Sequence, residues 1–316
     1  MASFAQDVER GLTSLPKRLA SKYFYDEIGS ALFNAITCLP EYYLTGAETE
    51  ILSDWGWQMV RLLDAPVDFL ELGSGSAVKT RLLIGEALRV QPDLCYSPID
   101  ISTEALQASS LALVERYPSL RIRAFAGDYF DVLESHTIRR DRKMLAMLMG
   151  SNIGNYEPQE AGLLLRLLGD ALLPGDGLLL GADLKKDRAT LERAYNDPTG
   201  VTAAFNRNLL ARVNRELGGD FDPRDFRHVA CYDELRGSVD SFLEAREAAG
   251  VVIRALDLTV GIAGGERIHT ESSYKFTDDE IAQLGAAAGF RHASVWHDRA
   301  KRFSVHLLVR LEAKAA

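Results

Sequence analysis

An α/β protein built on a mainly parallel sheet, with a second and discontinuous domain beside it, is the architecture the 316-residue sequence predicts. Three observations carry that reading. Short apolar runs alternate with longer helical patterns between residues 67 and 183. A glycine turn joins the first apolar run to the first of those helices. The stretches 1–60 and 185–265 break the alternation.

The runs place strands at 67–73, 96–101, 122–127, 144–150 and 177–183, and helices at 78–90, 103–117 and 157–171. Ser102 and Thr103 are candidate caps for the second helix, with Glu104 in its first turn, where the helix dipole favours an acid. Helices of this length between successive strands imply crossovers to parallel neighbours. From 277 onward the pattern resumes with a helix at 278–288 and two β-rich runs, 290–298 and 302–311, which read as a terminal antiparallel pair. Residues 1–60 read as mainly helical and rich in aromatics. Residues 185–265 read as helices interrupted by the turn-forming Asn196, Asp197, Pro198, Thr199 and Gly200. The division expected is a sheet domain at 49–190 with 275–316, and a second domain at 1–48 with 191–274. The second would cap the strand ends where ligands of open α/β sheets bind.

Composition narrows the function. With 47% hydrophobic and 26% charged residues, the chain reads as an ordinary globular protein. The net charge is −9, and the densest basic run, Arg139, Arg140, Asp141, Arg142 and Lys143, is short and carries an acid. That argues against a nucleic-acid partner, which needs a basic surface. No apolar run reaches the roughly 18 residues of a membrane span, and the N-terminus lacks the order of a signal peptide, so no membrane partner and a cytoplasmic location are expected. Cys38, Cys95 and Cys231 are odd in number and far apart, with no CxxC pair; they read as reduced, packed thiols and not as a metal site. Oligomeric state is not legible.

The glycine turn is the first chemical signal. Val67 to Ser76 runs as an apolar strand into Gly73, Ser74 and Gly75, where missing Cβ atoms let a ligand approach the backbone. A nucleotide loop of the GxxxxGK[ST] type fits through Lys79 and Thr80 except that Val78 replaces its second glycine, and a dinucleotide loop would want a third glycine at the same place. The pattern Glu71, Leu72, Gly73, Ser74, Gly75 fits instead the ExGxG turn of S-adenosylmethionine-dependent methyltransferases. Asp100, ending the second strand, would then accept from the ribose hydroxyls. Asp128 would face the adenine amino group, with Tyr129 and Phe130 beside the ring. Lys79 either reaches the cofactor carboxylate or is a solvated helix lysine.

Further motifs carry a more specific likeness. Lys22, Tyr23, Phe24, Tyr25 and Asp26, then Leu39, Pro40, Glu41, Tyr42 and Tyr43, open a series continued by Gly150 to Asn155, Gly200 to Asn206 and Ile268 to Phe276. In this order, from about residue 15 to the C-terminus, the chain resembles the histidine Nα-methyltransferases of ergothioneine biosynthesis. The resemblance implies a Rossmann-like methyltransferase sheet with a discontinuous substrate-binding domain. It puts Gly73, Lys79, Asp100, Asp128 and Tyr129 at cofactor positions, beside Gly75 of the turn. Asn155 and Tyr195 match the residues holding the substrate carboxylate, Tyr42 another substrate-lining residue, and Glu271 and Ser273 the pair that hydrogen-bonds the imidazole. One departure stands at 238–243: Ser241 replaces a methionine that lines the substrate side chain in close family members.

These residue types suit the roles. The Asn155 amide can donate to a carboxylate or hold its own turn. Tyr195 is either a substrate donor or a buried core ring. Glu271 can accept from an imidazole N–H, with Ser273 on the same side of an extended backbone, or serve as a surface ion-pair partner. Tyr25, Tyr42 and Tyr43 offer ring faces to a quaternary ammonium product, an attraction of about 0.5–2 kcal/mol, or simply core. The implied reaction is in-line attack of an α-amine on the sulfonium methyl, repeated up to three times. It needs alignment and a base, and Tyr25, acting through water, is the candidate for that base. The rival readings are a methyltransferase for another amino acid or small amine, and a non-catalytic cofactor-binding regulator.

Overall fold

The computed structural model describes residues 3–64, 66–135 and 142–312, so Arg139, Arg140 and Asp141 of the basic run lie outside the described residues. Three helices precede the first strand: α1 (Phe4–Thr13), α2 (Glu27–Ile36) and α3 (Tyr43–Arg61). Ser3 and Gln6 form a reciprocal capping box on α1, and Asp26 caps α2 by accepting from the Gly29 N–H at 2.7 Å. The alternating stretch follows as β1 (Val67–Leu72), α4 (Thr80–Val90), β2 (Leu94–Asp100) and α5 (Thr103–Arg116). Ser102 caps α5, accepting from the Ala105 N–H at 3.1 Å. The first helix starts two residues later than expected because Ala77 takes a left-handed backbone, φ 51°.

Next come β3 (Leu120–Ile122), β4 (Phe125–Ala126), α6 (Tyr129–Glu134), β5 (Lys143–Leu148), α7 (Pro158–Ala171) and β6 (Gly177–Asp183). The single third strand expected at 122–127 is thus two short ones, each paired with β2. An edge strand has a ladder on one side only and tolerates the break at Arg123 and Ala124. After β6 the chain forms α8 (Arg188–Tyr195), α9 (Val201–Leu217), β7 (Phe226–Asp233), β8 (Ser238–Ala245), β9 (Ala249–Ile253), β10 (Leu258–Ile262) and β11 (Arg267–Tyr274). The helices expected through 185–265 therefore stop at Leu217, and strands follow. Val239, Ser241, Leu243 and Ala245 do alternate inward with period two, but a serine among them hides the pattern. α10 (Asp278–Ala287), β12 (Phe290–His297) and β13 (Phe303–Arg310) end the chain as anticipated.

The chain divides into two compact units. The first comprises 44–185 and the residues from 275 on. Its sheet runs β12-β13-β6-β5-β1-β2-β3, with β4 also on β2. The strands from β6 to β3 are parallel, and β13 is antiparallel to both β6 and β12. The chain steps outward from β1 to β2 and β3, then returns to the other side of β1 for β5 and β6. The C-terminal ends of β1 and β5 therefore flank a topological switch point, the usual ligand crevice of such sheets. Lys275 and Asp183 form a fully buried ion pair at 2.9 Å at the end of β6, where the Phe276 N–H also donates to the Asp183 carbonyl at 2.9 Å.

The second unit comprises residues up to 43 and 186–274. It holds an antiparallel sheet β11-β8-β7 and the pair β10-β9. Helix α9 buries Thr202, Phe205, Asn206, Leu209, Leu210, Val213 and Leu217, a stripe at three- and four-residue spacing that packs with Val8, Leu12, Phe24, Phe226 and Leu243. Cys38 is exposed at the end of α2, where packing was expected, and Cys95 and Cys231 are half-buried. No helix among the described residues is long and apolar enough to cross a membrane.

The buried pair generates a stability prediction. Removing one partner leaves a charge in an apolar setting, a loss of about 3–5 kcal/mol. Lys275→Met should lower the free energy of unfolding by that order in a denaturant titration. A loss below about 1 kcal/mol, the range of an exposed pair, would show that Asp183 finds another partner.

Candidate functional site

In the first unit, four strand ends bring the sequence-selected residues toward one edge. The turn after β1 is pinned to β2: the Gly73 N–H donates to the Ile99 carbonyl at 2.8 Å and the Gly75 N–H to Asp100 Oδ2 at 2.7 Å. Gly75 adopts φ 48°, a left-handed backbone that strains any side chain, and no atom lies within 4 Å of where its Cβ would stand. The turn is therefore an open cradle. The second Asp100 oxygen accepts from the Ser102 N–H at 3.0 Å, so the carboxylate is oriented by both neighbouring loops. Asp128 caps α6, accepting from the Phe130 N–H at 2.9 Å.

Aromatic rings gather beside Asp128. Tyr129 stacks on Phe130 with centroids 5.5 Å apart, Tyr156 meets Phe130 edge-on at 5.8 Å, and the Tyr129 and Tyr156 hydroxyls are hydrogen-bonded. Burial pushes the Tyr156 hydroxyl up to about 12, against the opposing pull of that bond. Tyr156 was not selected from sequence, although it directly follows Asn155. Asn155 itself is exposed and closes the 3₁₀ turn after β5.

Beneath the turn lie two carboxylates. Glu71 of β1 is buried and accepts from Thr80 Oγ1 at 2.5 Å and from the Tyr96 hydroxyl. Glu48 of α3 is buried, accepts from the Gly150 N–H at 2.8 Å and is ion-paired with Lys79. Lys79 is thus neither a solvated helix lysine nor placed on an open surface; its ammonium is held by Glu48. No motif marks Glu48 in the sequence, since a glutamate in a helix is ordinarily exposed.

In the second unit, a chain of rings links the remaining candidates. Tyr25 meets Phe33 and Phe205 at 5.6 and 5.9 Å, Phe33 meets Tyr42 at 6.2 Å, and Tyr42 meets Tyr195 at 6.3 Å. Tyr195 is buried, with its hydroxyl 2.8 Å from Ser273 Oγ. Tyr43 does not join the chain: Lys186 donates to its hydroxyl at 2.7 Å and lies over its ring at 4.7 Å, so one face already carries a cation.

A bulge in β11 orients Glu271 and Ser273. His269 pairs with Phe242 of β8, but after the bulge Glu271 pairs with Ser241 and Ser273 with Val239. An unbroken register would set Glu271 opposite Asp240, on the other face. The extra residue turns Glu271 and Ser273 onto the face of Val239 and Leu243, which is the buried one.

Known proteins share this chain's sequence. The model of a family described as histidine-specific, S-adenosylmethionine-dependent methyltransferases matches residues 4–310. The histidine N-alpha-methyltransferase of Mycolicibacterium smegmatis is 42% identical over 307 residues, which is 96% of this chain and 94% of that protein. That of Mycobacterium tuberculosis is also 42% identical, over 303 residues, 96% of this chain and 93% of the relative. Ergothioneine biosynthesis protein 1 of Neurospora crassa is 31% identical over 305 residues, 93% of this chain but 33% of that longer protein.

Glu71 makes the stability of this edge depend on pH. Burial lifts its carboxyl from the ordinary 4.5 to about 7, against the pull of Thr80, Tyr96 and Lys79. Between those values the folded protein keeps a proton that the unfolded chain has lost, so stability falls as pH rises through that window. Glu71→Gln, which cannot ionise, should flatten the fall in thermal midpoints measured from pH 4.5 to 7.5. An unchanged slope would assign the pH dependence to other groups.

Proposed function

The chain belongs to the family of S-adenosylmethionine-dependent, histidine-specific methyltransferases, and from that membership we propose that it methylates the α-amine of L-histidine. Up to three transfers give Nα,Nα,Nα-trimethylhistidine, a step of ergothioneine biosynthesis. The observation that carries this reading is the match of the family across residues 4–310, with Glu271 and Ser273 turned together onto the buried sheet face.

S-adenosylmethionine supplies a methyl group on a sulfonium, which leaves as a neutral thioether. The residues of the first unit suit its binding. The open Gly73 to Gly75 turn admits the methionine and ribose parts, Asp100 has acceptor capacity left for the ribose hydroxyls, and Asp128 with Tyr129 suits the adenine end. Lys79 would reach the cofactor carboxylate by giving up part of its contact with Glu48. For the substrate, Asn155 and Tyr195 are proposed as donors to the carboxylate, Tyr42 as a lining ring, and Glu271 with Ser273 as partners of the imidazole. The α-amine must lose a proton before each transfer, and Tyr25, held by Phe33 and Phe205, is proposed to receive it through a water. Alignment of nitrogen, methyl and sulfur supplies the rest of the acceleration. A cytoplasmic site of action belongs to the same proposal; the free thiols of Cys38, Cys95 and Cys231 suit a reducing compartment.

Two measurements test these roles. Offered all natural amino acids in competition, the enzyme should yield trimethylhistidine as its main methylated product by mass spectrometry. A dominant product from any other amino acid would overturn the histidine assignment and leave methyl transfer standing. Asp100→Ala should weaken S-adenosylmethionine binding at least tenfold by calorimetry, since hydrogen bonds to a charged group are each worth about 1.5–3 kcal/mol. An unaltered affinity would remove Asp100 from the site.

A further inference from the structure

Ser241 sits at the centre of the second unit's three-stranded sheet, fully buried, and its hydroxyl has no hydrogen-bond partner among the described residues. Native interiors rarely leave a hydroxyl in that condition, because its lost hydration goes uncompensated. The backbone around it is firmly placed. The Thr270 hydroxyl lies 3.0 Å from the Ser241 carbonyl oxygen and 2.6 Å from Asn206 Oδ1 on α9. The unpaired hydroxyl therefore belongs to a rigid position.

Its neighbours define what it would meet. Across the ladder Ser241 stands opposite Glu271 on one side and Ala230 on the other. Side chains directly opposite in an antiparallel pair share a face, with Cβ atoms about 4.5–5.5 Å apart. Glu271 and Ala230 are only half-buried, and the alanine leaves room beside the hydroxyl. Ser273, the other polar group of this face on β11, already shares a hydrogen bond with Tyr195. On β7, two residues along from Ala230, both ring nitrogens of His228 are buried and lack a partner. Burial drives that imidazole down to about 4, so it is neutral near pH 7, with one donor and one acceptor unmet.

We propose that Ser241 is a specificity-determining residue, whose hydroxyl hydrogen-bonds one ring nitrogen of the substrate imidazole while Glu271, directly opposite, takes the other. This rests on the histidine reading above and deepens it. A neutral imidazole has one N–H to give and one nitrogen lone pair to fill. A carboxylate only accepts, and a hydroxyl can donate. The Ser241 and Glu271 pair matches those two needs from adjacent strands, whereas a purely apolar ring would leave both unmet. The unpaired His228 lies on the same face, so a pocket water can bridge it to the Ser241 hydroxyl.

The test compares L-histidine with L-phenylalanine by their KM values and by calorimetric affinity in the presence of S-adenosylhomocysteine. In Ser241→Ala, histidine affinity should fall about tenfold, with KM rising more than kcat falls. Phenylalanine affinity should not fall, so the selectivity ratio drops. Because the deleted hydroxyl has no protein partner, the thermal midpoint should stay level or rise. Ser241→Cys, similar in size with a weak donor, should recover part of the selectivity, and it serves as the test should the alanine variant misfold. Wild-type selectivity in Ser241→Ala, or in Ser241→Cys if that variant is the one used, overturns the assignment. If the unaltered enzyme methylates no histidine, the functional reading fails first and this inference falls with it. If histidine is methylated and only Ser273→Ala lowers its affinity, the ring is read by Ser273, and the Ser241 role is wrong while the function stands.

Discussion

Glu48 and Glu71 are carboxylates kept out of water beneath the glycine turn, and the edge of the sheet can fold only if each is paired. An unpaired buried carboxylate would cost several kcal/mol, so the protein supplies partners from every element that meets there. Glu71 takes Thr80 from the start of α4 and Tyr96 from β2. Glu48 takes the Lys79 ammonium and the Gly150 N–H after β5. Even β6 is shaped by this requirement: a Cβ at Gly181 would stand 2.2 Å from Glu48 Oε1, a distance only glycine avoids. The turn is open above because it is tied below. Its own backbone is held by Ile99 and Asp100, and the helix that follows starts at Thr80, one of the groups Glu71 requires.

The same arrangement sets the local charge. Two acids and one lysine under the turn leave an excess of negative character if both acids ionise, and burial keeps Glu71 protonated up to about 7. A cationic sulfonium and the ammonium of a methionine moiety would be favoured over such a floor, whereas the phosphates of a nucleotide would be repelled. The glycine spacing alone left Val78 as the objection to a phosphate loop. The buried carboxylates supply an independent electrostatic reason on the same side.

Much of the first unit was legible because its strands are buried on both faces and its helices alternate with them. β1, β5 and β6 read as continuous apolar runs, and Ser102, Asp100 and the glycine turn follow at the strand ends where local chemistry dictates them. Glu48 was not legible, since nothing along α3 distinguishes a glutamate that turns inward from one that faces water. The second unit was read poorly for a related reason. Its strands place Ser241, Ser273 and His228 on the inward face, so the apolar alternation that announces a strand is broken by the residues the site needs. The ring chain from Tyr25 through Phe33 and Tyr42 to Tyr195 joins segments over 150 positions apart, a proximity that only tertiary packing creates. In the sequence those aromatics were equally good core.

The bulge between His269 and Glu271 shows how little chain is needed to make a site from a structural strand. Strand side chains alternate with period two, so one added residue reverses the face of everything after it until the strand ends. Arg267 and His269 stay with Glu244 and Phe242, where Arg267 donates to Glu244 at 2.8 Å on the solvated side. Beyond the bulge, Glu271 and Ser273 face inward together and Ser272 outward, with Ser272 bonded to His269 at 2.9 Å. A polar pair is thereby introduced into a buried face without altering β7 or β8. The pair arrives already in register with Ser241 and Val239, so position 241 decides what Glu271 meets across the ladder. A long apolar residue there would fill the space opposite the carboxylate; serine leaves it polar and open.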